Sequence, residues 1–241
     1  MVRIVVLICT FSRPPVALVF VDVTPTVGRL PARVAKFVRA ADQRIDAFGA
    51  NRVKRPLDSF MPSELEGAWR MLDAIGRGNL ARGRAFCEWG CGFAAVAGVA
   101  ALAGFDACGI EIERDLVAEA RQLMADFALP VVIAQGSFVP PDAGALAECD
   151  NELTWLADGG PDGHAVLRRD PDAFDLVFAY PWPGDEEVIR RLFDHFAAPE
   201  ALLLTFHGEE GYRVERKVTE ESKAPAKAKA PAKPNTPKEP K

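Results

Sequence analysis

A strand that ends on a carboxylate, turns through glycines and opens a helix is a demanding local plan. This chain carries it once, at Phe86-Cys87-Glu88-Trp89-Gly90-Cys91-Gly92-Phe93-Ala94, followed by an apolar helical run. A second apolar stretch, Cys108-Gly109-Ile110-Glu111-Ile112-Glu113, places another carboxylate 23 residues after the first. Glycines let a backbone approach a ligand with no Cβ in the way, and the free N–H groups of the following helix face that ligand. The second carboxylate suits ribose hydroxyls, so the layout predicts a pocket for a nucleoside-containing ligand.

From Arg84 onward, apolar strand-like and helical segments alternate. Strands are expected at Ala85 to Trp89, Ala107 to Ile112, Val131 to Gln135, Phe174 to Tyr180 and Ala201 to His207. Helices are expected at Ala94 to Ala103, Arg114 to Phe127, within Ala143 to Ala157, and at Asp185 to Phe196. Apolar strands separated by helices imply an α/β fold, a doubly wound and mostly parallel sheet covered on both faces. Ligands bind such sheets beyond the C-terminal strand ends, near the reversal of strand order. Site residues should therefore gather at Glu88 to Phe93, Glu111, Gly136 to Phe138, Tyr180 to Pro183 and His207.

Two cofactor classes fit the glycine turn. Gly90-x-Gly92-x-x-Ala95 with Glu111 satisfies the dinucleotide pattern, in which a pyrophosphate rests on the helix N-terminus. Glu88, two residues before the first glycine, would repel a pyrophosphate and attract a ligand bearing an ammonium and a sulfonium. On these residues the chain resembles the class I, seven-strand S-adenosylmethionine-dependent methyltransferases, whose first motif reads acid-x-Gly-x-Gly-x-Gly. Ala94 stands here for the third glycine. The resemblance covers roughly Phe60 to Gly211 and implies a Rossmann-like fold with S-adenosyl-L-methionine as cofactor.

Roles follow from that resemblance. Glu88 would hold the amino end of the cofactor, its rival role being to cap the next helix; Trp89, Gly90, Cys91, Gly92 and Phe93 form the turn around it. Glu111 would bridge the ribose hydroxyls with Ile112 beside it. Gly136, Ser137 and Phe138 match the adenine contact, Phe138 having core packing as its alternative. Phe60 and Ser63 would close over the methionine end, with Ser63 as N-cap of the helix through Trp69 and Ile75 and Glu66 completing a capping box. No metal site is expected.

Phe178-Ala179-Tyr180-Pro181-Trp182-Pro183 lies where amino-directed nucleic-acid methyltransferases carry Asp/Asn-Pro-Pro-aromatic. Tyr180 in place of the acid or amide argues against adenine-N6 chemistry. Tyr180, Pro181 and Trp182 predict a rigid aromatic wall suited to a planar ring or a cationic amine. His207 is the candidate base, with a plain loop residue as its alternative. The methyl acceptor is a protein amine, an RNA or a small molecule, the protein amine being favoured. Competing readings are a non-catalytic scaffold on a cofactor fold and an NAD(P)-binding protein.

Composition frames the remainder. The 241 residues, 49% hydrophobic and 26% charged, suit one globular unit with appendages. Five cysteines without regular spacing speak against a disulfide framework and for a reducing, cytoplasmic setting, and Cys87 and Cys91 read as small apolar fillers. Residues 1–29 hold two apolar runs split by Pro14-Pro15, each too short to span a bilayer. Their fold role is open between added strands and a segment outside the folded unit; a signal peptide lacks a small-x-small cleavage site. Residues 30–79 are expected to be helical, with Leu30 to Phe48 as an amphipathic lid or packing helix, and residues 80–218 to form the cofactor-binding domain, its C-terminal edge trimmed to one further strand. The Lys/Pro/Ala-rich tail, 219–241, is expected to be disordered. From Lys217 onward seven lysines face three glutamates, net +4 in a chain of net −5, which would allow a weak tether to nucleic acid or an acidic surface.

Overall fold

The structure, a computed structural model, describes residues 18–51, 63–143 and 160–218. Phe60, the helix expected within 143–157, the first apolar run and the lysine tail lie outside the described residues. In chain order the elements are β1 (Leu18–Phe20), α1 (Ala32–Asn51), α2 (Leu65–Arg77), β2 (Ala85–Trp89), α3 (Ala95–Leu102), β3 (Asp106–Glu111) and α4 (Arg114–Asp126). They continue with β4 (Val132–Gln135), α5 (Gly163–Leu167), β5 (Leu176–Ala179), α6 (Glu186–Phe196), β6 (Leu202–Phe206) and β7 (Tyr212–Lys217).

Seven strands make one sheet in the order β1-β7-β6-β5-β2-β3-β4. The strands β4, β3, β2, β5 and β6 are parallel, so the fold is the doubly wound, mostly parallel Rossmann-like arrangement expected. β7 runs antiparallel to β6, and β1 antiparallel to β7. Among the described residues after β6 there is a single strand, β7, and the outermost strand comes from the N-terminal region. Residues from Leu18 belong to the sheet.

Alternation along the strands sorts side chains between two cores. Phe86, Leu176, Phe178, Leu202 and Leu204 face α1 to α4, together with Phe37, Trp69, Leu72 and Ile75. Cys87, Trp89, Cys108, Ile110, Val177 and Leu203 face the other way, against Val188, Ile189, Leu192 and Phe193 of α6. α1 rests on α3 at Gly98, whose missing Cβ leaves room for the Phe37 ring. No described helix is long and apolar enough to cross a membrane.

The start of α2 corrects one expectation. Its N-cap is Glu64, whose carboxylate accepts from Glu66 N at 2.9 Å and Gly67 N at 2.6 Å. Ser63 is therefore one residue outside the cap, and Glu66 contributes its backbone N–H in place of a reciprocal side chain. A longer carboxylate reaches two orphan amides at once, which a serine hydroxyl does not.

Candidate active site

The strand order reverses between β2 and β5, and the register aligns Trp89 with Ala179 at their C-terminal ends. A cleft of about 380 Å³, its open mouth included, sits at this point. Its walls are Glu88, Gly90, Cys91 and Phe93 of the glycine turn, Ala95 and Val96 of α3, and Phe178 and Tyr180 of β5 and its exit. Ile45 of α1, with Ser63 and Leu65 at the start of α2, forms its roof. The helical N-terminal elements thus enclose the turn as well as pack.

The turn is strained in the way its glycines permit. Gly90 and Gly92 have φ of 65° and 52°, and Ala94 follows at φ 52°, a left-handed conformation unusual for a residue with a Cβ. A Cβ on Gly90 would meet only Phe138 Cε1, at 3.8 Å, so the space above it is open. Because Ala94 offers no capping side chain, Glu88 caps α3 from the strand below. Its Oε2 accepts from Ala97 N at 2.7 Å. This is the rival role named for Glu88, and it coexists with a place in the cleft wall. It also fills the helix N-terminus with a carboxyl group, where a dinucleotide would put its pyrophosphate.

Glu88 is 5% exposed. Burial, with the Glu111 carboxylate nearby, pushes its carboxyl up to about 8 despite the bond from Ala97. Cys91 has its thiol pushed up by burial and by Glu88, so it is an inert filler packed against Gly109. Glu111 is buried too, and burial raises its carboxyl. Its Oε2 accepts from Gly92 N at 2.7 Å and its Oε1 from Glu113 N at 2.9 Å. It thereby ties the end of β3 to the glycine turn, and a carboxylate with about four lone-pair sites keeps acceptor capacity for two hydroxyls.

The remaining expected residues lie along the same strand ends, outside the cleft wall. Ile112 is exposed beside Gly160. Gly136 donates to Glu111 O and packs against the backbone of 161–163, where a Cβ would collide with Pro161 O. Ser137 Oγ accepts from Val139 N at 3.1 Å. Phe138 stacks on Trp89, with centroids 5.3 Å apart and planes 10° apart, and its Cε1 borders the open space above Gly90.

On the acceptor side, Tyr180 meets Phe206 edge-on at 4.9 Å, and Phe206 meets Tyr212 at 4.7 Å. Tyr212 donates to Glu64 O, fastening this aromatic ladder to the start of α2. Pro181 is buried, and Trp182 is 38% exposed outside the cleft wall. His207 Nε2 lies 2.7 Å from Thr205 Oγ1, a partner not foreseen. Burial, then Arg213, lowers its affinity for a proton, so its ring is neutral at neutral pH. The described residues contain no cluster able to hold a metal.

Sequence reasoning missed Glu64, Tyr212, Asp162 and His164. Asp162 caps α5 by accepting from His164 N and Ala165 N. The one available signal was a helix-capping Asp before Gly163-His164-Ala165, too short a run to show periodicity.

The seven-strand sheet fits the class I architecture that the glycine turn resembles. No protein-family model matches the chain, and no curated protein matches it. Among solved structures it is similar to an RNA methyltransferase from Salinibacter ruber in complex with S-adenosyl-L-homocysteine. That pair is 17% identical, covering 68% of this chain and 100% of the other, with a TM-score of 0.43. An O-methyltransferase from Bacillus cereus, also with that ligand, is 13% identical over 75% of this chain and 68% of its own, TM-score 0.45. A methyltransferase from Geobacter sulfurreducens is 15% identical over 78% and 99%, TM-score 0.45.

Proposed function

We propose that the protein is an S-adenosyl-L-methionine-dependent methyltransferase acting on an amine, with a protein amine as the favoured acceptor. One observation carries the reading: the buried Glu88 carboxyl and the open glycine turn face a single cleft at the sheet's switch point, roofed by α1 and α2. The donor set suits the cofactor. Glu88 meets the cationic methionine end, Glu111 has acceptor capacity for the ribose, and Gly90 leaves room for a close approach. When bound, the cofactor supplies a methyl group already activated on a sulfonium.

The chain's own residues then have little chemistry to do beyond alignment. Phe178 and Tyr180 wall the side from which an acceptor enters, and an aromatic wall attracts an amine through its ring faces. Ile45 and Leu65 keep water from the cleft. Asp42 of α1 has its carboxyl raised by burial, then by Asp46 and Glu64, so acidic groups gather near the roof and favour a basic acceptor. Pro181 would hold the loop rigid, Trp182 would guide entry, and neutral His207 would take the proton released by the amine.

Incubating the full chain with methyl-labelled cofactor and separated protein, RNA and small-molecule fractions tests the proposal. Label should enter the protein fraction on an amine, and Glu111→Ala should abolish both transfer and micromolar cofactor binding. Binding without transfer to any fraction would favour a scaffold. A melting temperature raised by NAD and not by S-adenosylhomocysteine would replace the cofactor assignment.

A further inference from the structure

We propose that His164 is the positioning residue for the nucleoside end of the cofactor site, fixing the Phe138–Trp89 stack beside which the base would lie. The proposal rests on the methyltransferase reading above. The loop after β4 is pinned up to Ser137: Gly136 N donates to Glu111 O at 2.9 Å, Ser137 N to Pro161 O at 2.8 Å, and Gly163 N to Ser137 O at 2.9 Å. Two glycines let these backbones touch. A Cβ on Gly136 would stand 2.8 Å from Gly163 N, and one on Gly163 would stand 2.8 Å from Ser137 O. The loop cannot slide, and what remains to be fixed is Phe138.

His164 reaches Phe138 directly. Its Nε2 lies 3.0 Å from Phe138 O, and a carbonyl only accepts, so Nε2 carries the hydrogen and donates. Nδ1 is then the bare nitrogen. It is buried with no hydrogen-bond partner among the described residues. Burial correspondingly lowers the ring's affinity for a proton, and His164 is neutral. The ring side contacts the other half of the stack: its centroid is 6.5 Å from that of Trp89, edge-on at 85°, and 6.1 Å from Phe174. One residue, 3% exposed, therefore holds Phe138 by its carbonyl and abuts the ring on which Phe138 lies. No other described side chain bonds to the backbone of Phe138.

Calorimetric binding of S-adenosylhomocysteine and of 5′-methylthioadenosine, which keeps the nucleoside end alone, tests this in the full chain. His164→Ala should weaken both ligands by a similar factor, about tenfold, because the loss lies at the end they share. His164→Gln retains an N–H donor of comparable reach and should recover to within about threefold of wild type. A folded His164→Ala that binds both ligands like wild type would overturn the proposal. So would a loss confined to S-adenosylhomocysteine, or a Gln variant no better than Ala. If His164→Ala does not fold, His164→Asn replaces it, being too short to reach Phe138 O. Failure of the wild type itself to bind S-adenosylhomocysteine would instead overturn the methyltransferase reading.

Discussion

If the proposed cofactor binds at the glycine turn, Glu88 should make its binding a proton-releasing event. With its carboxyl raised to about 8 by burial, Glu88 is mostly protonated at neutral pH in the free protein. A ligand whose ammonium needs the ionised form must expel that proton first. The affinity is then reduced by a factor of about two at pH 8, eleven at pH 7 and one hundred at pH 6. Between pH 8 and 6 the dissociation constant for S-adenosylhomocysteine should rise about fiftyfold, or roughly 2.3 kcal/mol. Isothermal titration in two buffers of different ionisation enthalpy should count close to one proton released at pH 7. Glu88→Gln keeps an oxygen to accept from Ala97 N but has no proton to lose, so its affinity should be flat across this range.

Stability provides an independent reading of the same group. The folded state holds the proton between the ordinary 4.5 and about 8 while the unfolded state does not, so stability falls as pH rises through that window. Glu88→Gln should melt above wild type at pH 8.5 and lose that advantage at pH 5. A wild-type affinity independent of pH, or a Gln variant that keeps the slope, would refute the linkage.

Two further outcomes concern the roof of the cleft. Gly98→Ala drives a Cβ into the Phe37 ring, which is fully buried and also meets Phe127 edge-on at 5.1 Å, so it cannot swing aside. A loss of about 1–3 kcal/mol in urea unfolding is expected, with cofactor binding weakened as α1 lifts. Glu64→Ala removes the cap of α2 and should cost about 1 kcal/mol by the same assay, while Glu66→Ala, whose contribution to the cap is backbone, should leave the cap intact.

The parallel core was legible because its signals are long and redundant. β2 spans the residues expected, Ala85 to Trp89, since its apolar run ends sharply at a glycine turn. Glu88 and Glu111 were readable as positions but not as hydrogen-bond acceptors. Nothing local shows that Ala94 leaves α3 uncapped in a left-handed turn, so that a carboxylate nine residues before Ala97 takes over. The stack of Phe138 on Trp89 and the His164 bond to Phe138 O join residues 26 or more apart, beyond any periodicity. The same holds for β1, three residues whose role depends wholly on a strand at the opposite end of the chain.

That last pairing also decides where the rest of the chain attaches. Leu18 stands directly across the ladder from Lys217, and Lys217 N reaches Ala201 O at the start of β6, whereas the cleft opens at the far ends of the parallel strands. Leu18 and Lys217 therefore share one corner of the sheet, on the edge away from the cleft. An attachment made at this corner stands away from the mouth of the cleft. A short linker joining Leu18 to Lys217, as in a circular permutant, should therefore leave the cleft clear.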